Sequence, residues 1–346
     1  MSLQPGIEVP IGGIERELGN LWEKSGGKKT RASLINLAIY SERKDSLESN
    51  SAIIEGIAGE HAMRSLLIEA DPEAAGSSAE SWISMHCYAR GPMGGGVCSE
   101  QICFRLSGEA ARSLQSVVFS HLDSDLPLAL WWQADFRTPI NARLWRWVDR
   151  LLFDSRQWLH PGKQFEIVSE IADLADTRTV LCDLNWARSL PVRQTLAGIF
   201  DPPCTLRELY KVEALEFDHA PGSRTTALLM LGWLADRLDW TLVKAEANPV
   251  FRNSLGQLLT VVIREIPGNS ISRILLRSKD ACFELSRKEG SDVFVTSVKD
   301  KSLSTSSRMV MTLRDETGDI LLAELARGGR HPLYCKAVQA VQQLWD

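Results

Sequence analysis

Long apolar runs are missing from this 346-residue chain, and so are most of the short motifs that announce chemistry. No stretch approaches the roughly 20 consecutive apolar residues needed to span a bilayer as a helix. The opening residues, MSLQPGIEVPIGG, lack a basic segment followed by an apolar one, so no secretory signal is read there. A basic excess is also absent. The net charge is -5 and neither half of the chain is basic, which leaves no electrostatic footprint for nucleic acid. A cytoplasmic location is expected, with neither a membrane nor nucleic acid as partner.

Catalytic signatures are equally scarce. The chain has no HExxH, no GxSxG, no EF-hand pattern and no GxGxxG, so no metal and no dinucleotide cofactor is expected. The run GPMGGG at 91–96 has no lysine nearby and leads into a strand rather than a helix, so it reads as a hairpin loop, not a phosphate loop. Six scattered histidines sit beside no candidate nucleophile, and no catalytic residue is proposed. The seven cysteines are spread out, odd in number and without CxxC, which argues against a disulfide framework or a zinc site. They read as small core residues. Cys98, following Gly94, Gly95 and Gly96, is the exception, a candidate redox thiol in a flexible loop.

What is present is an alternation of strands and helices. Ile14–Trp22 reads as a helix, followed by a polar linker. Strands are expected at Leu34–Tyr40, Arg64–Glu69, Trp82–Ala89, Glu100–Leu106 and Leu126–Trp132, and helices at Ser46–Gly59, Glu109–Leu122 and Asn141–Phe153. This pattern implies an α/β layer domain, Rossmann-like, with a mixed sheet, because Trp82–Ala89 and Glu100–Leu106 are joined too tightly for a crossover helix. Further on come helices at Phe165–Ala175, Trp186–Phe200 and Thr225–Asp239, with a strand at Leu209–Phe217. A run of strands then follows: Leu258–Ile266, Ile271–Ser278, Ala281–Arg287, Val293–Val298, Met309–Arg314 and Ile320–Leu325. A last helix, Leu333–Trp345, ends an α+β domain with an antiparallel sheet. The expected division is 1–28 as N-terminal helix and linker, 29–160 as the α/β domain and 161–346 as the α+β domain.

Residues 131–193 concentrate arginine and tryptophan, with six of the eleven tryptophans and eight arginines against one lysine. The apolar run DLPLALWW ends in Trp131 and Trp132, which point to opposite faces of a strand. In the expected helix Asn141–Phe153, Leu144, Trp147, Val148 and Leu151 share one face, and Arg143, Arg146 and Arg150 another. A solvated basic face explains this spacing. So does a protein interface, since Trp and Arg dominate binding hot spots, or a held phosphate.

Four segments carry a family resemblance: DLPLALWW at Asp125–Trp132, DRLLFDS at Asp149–Ser155, DLNWARSLPVR at Asp183–Arg193 and LLMLGWLADRL at Leu228–Leu238. In order and approximate spacing the chain resembles the glucose-6-phosphate dehydrogenase assembly protein family, OpcA. Val192 stands where that pattern often has a second aromatic. The resemblance implies a non-enzymatic assembly factor and activator of glucose-6-phosphate dehydrogenase in the oxidative pentose phosphate pathway. It also implies redox control, with thioredoxin as a further partner and Cys98 as the candidate thiol. The expected partner-binding residues are Trp131, Trp132, Arg143, Arg146, Arg150, Asp154, Asp183, Trp186, Arg188 and Arg193, a set in which a buried Asp–Arg pair is as plausible as an exposed contact. The alternative is a sugar-phosphate-binding enzyme or sensor of the same pathway, resting on the α/β half and the arginines.

Overall fold

The computed structural model describes residues 6–24, 29–31, 33–90, 95–174, 179–288, 291, 293–300, 306–311 and 316–345. Two compact units share the chain. The first comprises Met1–Phe153, Ile167–Cys182 and Glu316–Gly329, and the second Asp154–Glu166, Asp183–Asp315 and Arg330–Asp346. They interleave rather than follow one another as 29–160 and 161–346. The physical reason is that two later pieces of chain, Ile167–Cys182 and Glu316–Gly329, make their contacts with the first unit.

The first unit holds β1 (Ile7–Glu8), β2 (Lys29–Arg31), β3 (Asn36–Ser41), β4 (Arg64–Asp71), β5 (Ser78–Arg90), β6 (Gly95–Ser107), β7 (Leu128–Trp132), β8 (Arg150–Phe153) and β9 (Val180–Asp183). The sheet order is β1-β5-β6-β4-β3-β7-β8-β9, with β2 pairing on β6. All six residues of β3 and seven of the eight in β4 are buried, as expected for parallel strands covered on both faces. From β6 to β8 every pairing is parallel, while the β5–β6 hairpin is antiparallel, so the sheet is mixed and α/β as expected. The chain winds outward from β3 through β4 to β6, then restarts at β7 on the other side of β3. This is the doubly wound order, and its switch point lies between β3 and β7. The N-terminal helix Ile14–Lys24 is tied down by a partly buried network. Trp22 Nε1 donates to Glu100 Oε1 at 2.5 Å, and Arg64 bridges Glu100 and Glu15.

Two segments change type from the expected one. Asn141–Phe153 is not one helix. Only Ala142–Trp145 is helical, capped by the Asn141 side chain, and Arg150–Phe153 becomes β8, parallel to β7. Asp149 makes the switch, accepting the Leu128 N–H on Oδ2 at 2.8 Å while its own N–H donates to the Leu128 carbonyl at 3.0 Å. The apolar run Leu151, Leu152 and Phe153 fits a buried strand as well as a helix stripe. Likewise Ile320–Leu325 lies in a helix, Thr317–Ala326, rather than a strand. Leu321 and Leu325 share its buried face, and Leu, Ala and Glu favour helix where no β-branched run opposes it.

The second unit is built on β10 (Ala214–His219), β11 (Thr241–Lys244), β12 (Val250–Arg252), β13 (Leu258–Glu265), β14 (Ile271–Arg277), β15 (Ala281–Arg287), β16 (Val293–Asp300) and β17 (Ser306–Met311). The order is β11-β12-β13-β10-β14-β15-β16-β17. The sheet is antiparallel as expected except at β10–β13, because β10 inserts between β13 and β14. Alternation gives it two unlike faces. Phe217, Val261, Ile274, Leu276, Phe283, Leu285 and Phe294 are buried on one. On the other, Arg264 pairs with Glu216 and Asp218, and Arg273 with Glu284, at 2.6–2.8 Å. The helix Arg224–Leu238 is buried along most of its length and meets the helix Pro332–Ala340 at Gly232. The expected helix Glu109–Leu122 is broken into short turns, and Trp186–Phe200 is divided at Ser189.

Candidate functional site

The expected residues divide between the two units. In the first, Trp131 is buried in β7, in register with Ile39 of β3 and Leu152 of β8. Trp132 is half-buried at the end of β7. Its indole stacks on Tyr40, with ring centroids 3.9 Å apart and planes 9° from parallel. Phe136 lies 6.0 Å away, and Trp145 meets it edge-on at 5.2 Å. These geometries are favourable for aromatic pairs, and they commit the Trp132 ring to its own unit. Trp147, expected on the buried face of a long helix, is 58% exposed because that helix ends at Trp145. Arg143 and Arg146 are exposed beside it.

Arg150 does not join Arg143 and Arg146. It starts β8, where Nη1 donates to the Glu324 carbonyl at 3.1 Å and Nη2 to the Arg327 carbonyl at 2.7 Å. Those carbonyls end the helix Thr317–Ala326, so Arg150 satisfies acceptors that helix geometry leaves open. Its Nη1 also approaches Cys182 Sγ at 3.4 Å, yet burial pushes the Cys182 thiol up to about 12. Cys98 is not a free thiol. It is bonded to Cys87, its partner across the β5–β6 hairpin, with Cys98 buried and Cys87 exposed. Residues 91–94 of the glycine run lie outside the described residues.

In the second unit the DLNWARSLPVR segment binds itself. Asp183 caps the helix Leu184–Arg188 and is buried. Its Oδ1 accepts the Ser155 and Asn185 N–H groups at 3.1 and 2.9 Å, and its Oδ2 accepts the Ser155 hydroxyl at 2.7 Å. Asn185 completes the network, donating to Ser155 Oγ at 3.0 Å and accepting from Thr226 Oγ1 at 2.7 Å. Burial pushes the Asp183 carboxyl up to about 7. The three donors pull against that, and the charge of Asp154 adds to it. Asp154 itself takes both terminal nitrogens of Arg188, at 3.3 and 3.1 Å, so the Asp–Arg pair lies within one unit. Arg193 is buried. It donates to Ser189 Oγ and the Trp186 carbonyl, and its guanidinium lies 3.6 Å from the Trp186 ring centroid. Trp186, Arg188 and Arg193 are thus held by intramolecular partners. Ser155, Asn185 and Thr226 were missed, because small polar residues far apart in the chain leave no spacing signal.

One feature of the first unit has direct chemical meaning. In a doubly wound fold the turn after the first strand carries glycines, and the following helix N-terminus holds a pyrophosphate. Here β3 runs into Glu42-Arg43-Lys44-Asp45, without glycine. The N-terminus of the helix Ser46–Ile57 is already occupied. Glu69 Oε2, from β4, accepts the Ser46 N–H at 2.8 Å and the Leu47 N–H at 3.4 Å. Its Oε1 takes Arg105 Nε at 3.0 Å. A carboxylate of the protein sits where a dinucleotide phosphate would, and it is buried.

No helix among the described residues is long and apolar enough to cross a membrane. Solved structures with similar chain paths include levoglucosan dehydrogenase with NADH and levoglucosan, at 12% identity and TM-score 0.47, covering 91% of this chain and 95% of that one. Another is an aldose-aldose oxidoreductase from Caulobacter crescentus, at 10% identity and TM-score 0.48, covering 89% and 95%. Likeness this loose says nothing of the chemistry of this chain. Among curated relatives, the putative OxPP cycle protein OpcA of Synechococcus elongatus is 27% identical over 269 residues, covering 71% of this chain and 59% of the relative. That of a Synechocystis species is 28% identical over 155 residues, covering 44% and 32%. The chain therefore spans between about a third and three fifths of the length of the relatives it matches. Residues 54–170 match the family described as glucose-6-phosphate dehydrogenase subunit N-terminal domain, and residues 179–338 match the corresponding C-terminal domain. With both domains matched in chain order, this chain belongs to the OpcA family of glucose-6-phosphate dehydrogenase assembly proteins.

Proposed function

We propose that this protein is a non-catalytic assembly factor and activator of glucose-6-phosphate dehydrogenase, acting in the cytoplasm by protein–protein binding. The observation that carries the non-catalytic part is Glu69, which closes the helix N-terminus that a dinucleotide would need. Family membership supports the partner. An activator of this kind binds the assembled, active form of the enzyme better than the unassembled form, and every factor of ten in that preference is about 1.4 kcal/mol of coupling. Of the ten expected residues, Arg143 and Arg146 are exposed, with Trp147 beside them, and these three form the docking candidate.

The test is the specific activity of the dehydrogenase with and without stoichiometric protein. A rise is expected, and Arg146→Ala is expected to weaken the half-saturating concentration by about tenfold, as for a hot-spot arginine. No change in activity would remove the activator reading. NAD at millimolar concentration is expected to leave the melting temperature of this protein unchanged, since a bound ligand raises stability by mass action.

We propose that a dithiol reductant such as thioredoxin attacks through exposed Cys87 rather than buried Cys98. A Cys87→Ser, Cys98→Ser variant is then expected to activate the dehydrogenase equally under oxidant and reductant, while the native protein differs between the two. Equal activation by the native protein in both conditions would end this extension.

A further inference from the structure

A second feature of the first unit shares Arg143 and Trp147 with the docking candidate, while Arg146 lies outside it. A depression of about 520 Å³ lies at the C-terminal ends of β3 and β7, beside the doubly wound switch point. Its size falls in the range of small-molecule sites, and its position is where open α/β sheets bind ligands. The closed N-terminus of the helix Ser46–Ile57 removes the usual pyrophosphate contact, so any ligand must be held by other groups.

The lining supplies them. Arg137 is consumed by Glu42, donating from Nη1 at 2.8 Å and Nη2 at 2.6 Å. Arg112 and Arg143 are exposed and have no ion-pair partner among the described residues. Two guanidinium groups without ion-pair partners on the lining of one depression suit a dianion, and the planar fork suits a phosphate. Trp147 offers an exposed indole face, while the faces of Trp132 are taken by Tyr40 and Phe136. An indole face packs against the C–H side of a sugar or the plane of a base. Ser116 and Asn141 add neutral hydrogen-bonding groups on the same lining.

We infer that this depression binds a phosphate monoester carried on a hydroxylated ring, with Arg112 and Arg143 on the phosphate and Trp147 against the ring. Calorimetric titration of the full chain alone, with glucose 6-phosphate, AMP, glucose and inorganic phosphate in turn, tests this. Saturable one-to-one binding of glucose 6-phosphate or AMP is expected, tighter than inorganic phosphate and with no binding of glucose. The first two probes separate a sugar-phosphate from a nucleotide. Arg112→Ala and Arg143→Ala are each expected to weaken binding by about tenfold, as for a lost charge-assisted pair, while Arg146→Ala, outside the lining, leaves it unchanged. All three side chains are exposed, so the variants keep the fold. The inference is overturned by absence of saturable binding of both ring phosphates at millimolar concentration. It is also overturned by inorganic phosphate binding as tightly as they do, or by full affinity in Arg112→Ala. Because no dehydrogenase is present, failure here leaves the docking proposal standing. Conversely, loss of activation in Arg146→Ala with ligand affinity intact separates docking from ligand binding.

Discussion

Gly232→Ala is expected to destabilise the second unit by about 3 kcal/mol or more. An added Cβ would lie 2.0 Å from the Ala337 carbonyl oxygen, which is backbone of the opposing helix Pro332–Ala340 and has no side-chain rotamer to yield. Helix propensity works the other way and favours alanine by about 1 kcal/mol. The clash wins because two packed helices must separate to relieve it. The melting transition is expected to fall by roughly 6–12 °C, at about 2–4 °C per kcal/mol for a unit of this size. An unchanged or raised transition would show that the two helices do not meet at Gly232.

Asp183 gives the second large effect, and it is diagnostic in pH as well as size. Removing the carboxylate in Asp183→Ala strands the Ser155 N–H, the Ser155 hydroxyl and the Asn185 N–H, and uncaps the helix Leu184–Arg188. A loss of about 4 kcal/mol is expected from buried donors left without an acceptor. The carboxyl, lifted from 3.8 to about 7 in the fold, holds its proton more tightly there than in the unfolded chain. Its contribution to stability is therefore full below pH 3.8 and is lost as the pH rises towards 7, at up to about 1.4 kcal/mol per unit. Asp183→Asn keeps an acceptor for the two N–H groups and cannot ionise. The urea midpoint of the native protein relative to Asp183→Asn is expected to fall between pH 5 and pH 7 and to level off above. Parallel pH curves would contradict a raised carboxyl.

Strand alternation carried most of the architecture into the sequence. The apolar stretches within β3 and β4 and the tight β5–β6 connection imply a mixed α/β sheet, and β13 to β16 stand close to where their alternation places them. Two of the failures share one cause. Arg150–Phe153 and Thr317–Ala326 are short apolar segments whose spacing satisfies both periods, and only their tertiary neighbours decide between them. That ambiguity reached the candidate site. The arginine face of a long helix does not exist, since Arg150 tethers a distant helix end while Arg143 and Arg146 stay in solvent. Tryptophan was legible as something to be buried, but its owner was not. Trp131, Trp132 and Trp186 have intramolecular partners, and Trp147 is the exposed one of the four. Glu69 was illegible because a lone glutamate in a strand gives no hint that it will cap a helix 23 residues upstream.

The closed phosphate position and the family match both support the proposal that this chain acts on a protein partner. The mass of glucose-6-phosphate dehydrogenase in solution, measured by light scattering with and without this protein and without NADP, tests that claim most directly. A discrete complex containing both chains, with the dehydrogenase shifted to its larger assembly, is the predicted result. Two species eluting at their separate masses at micromolar concentration, with the dehydrogenase assembly unchanged, would contradict it.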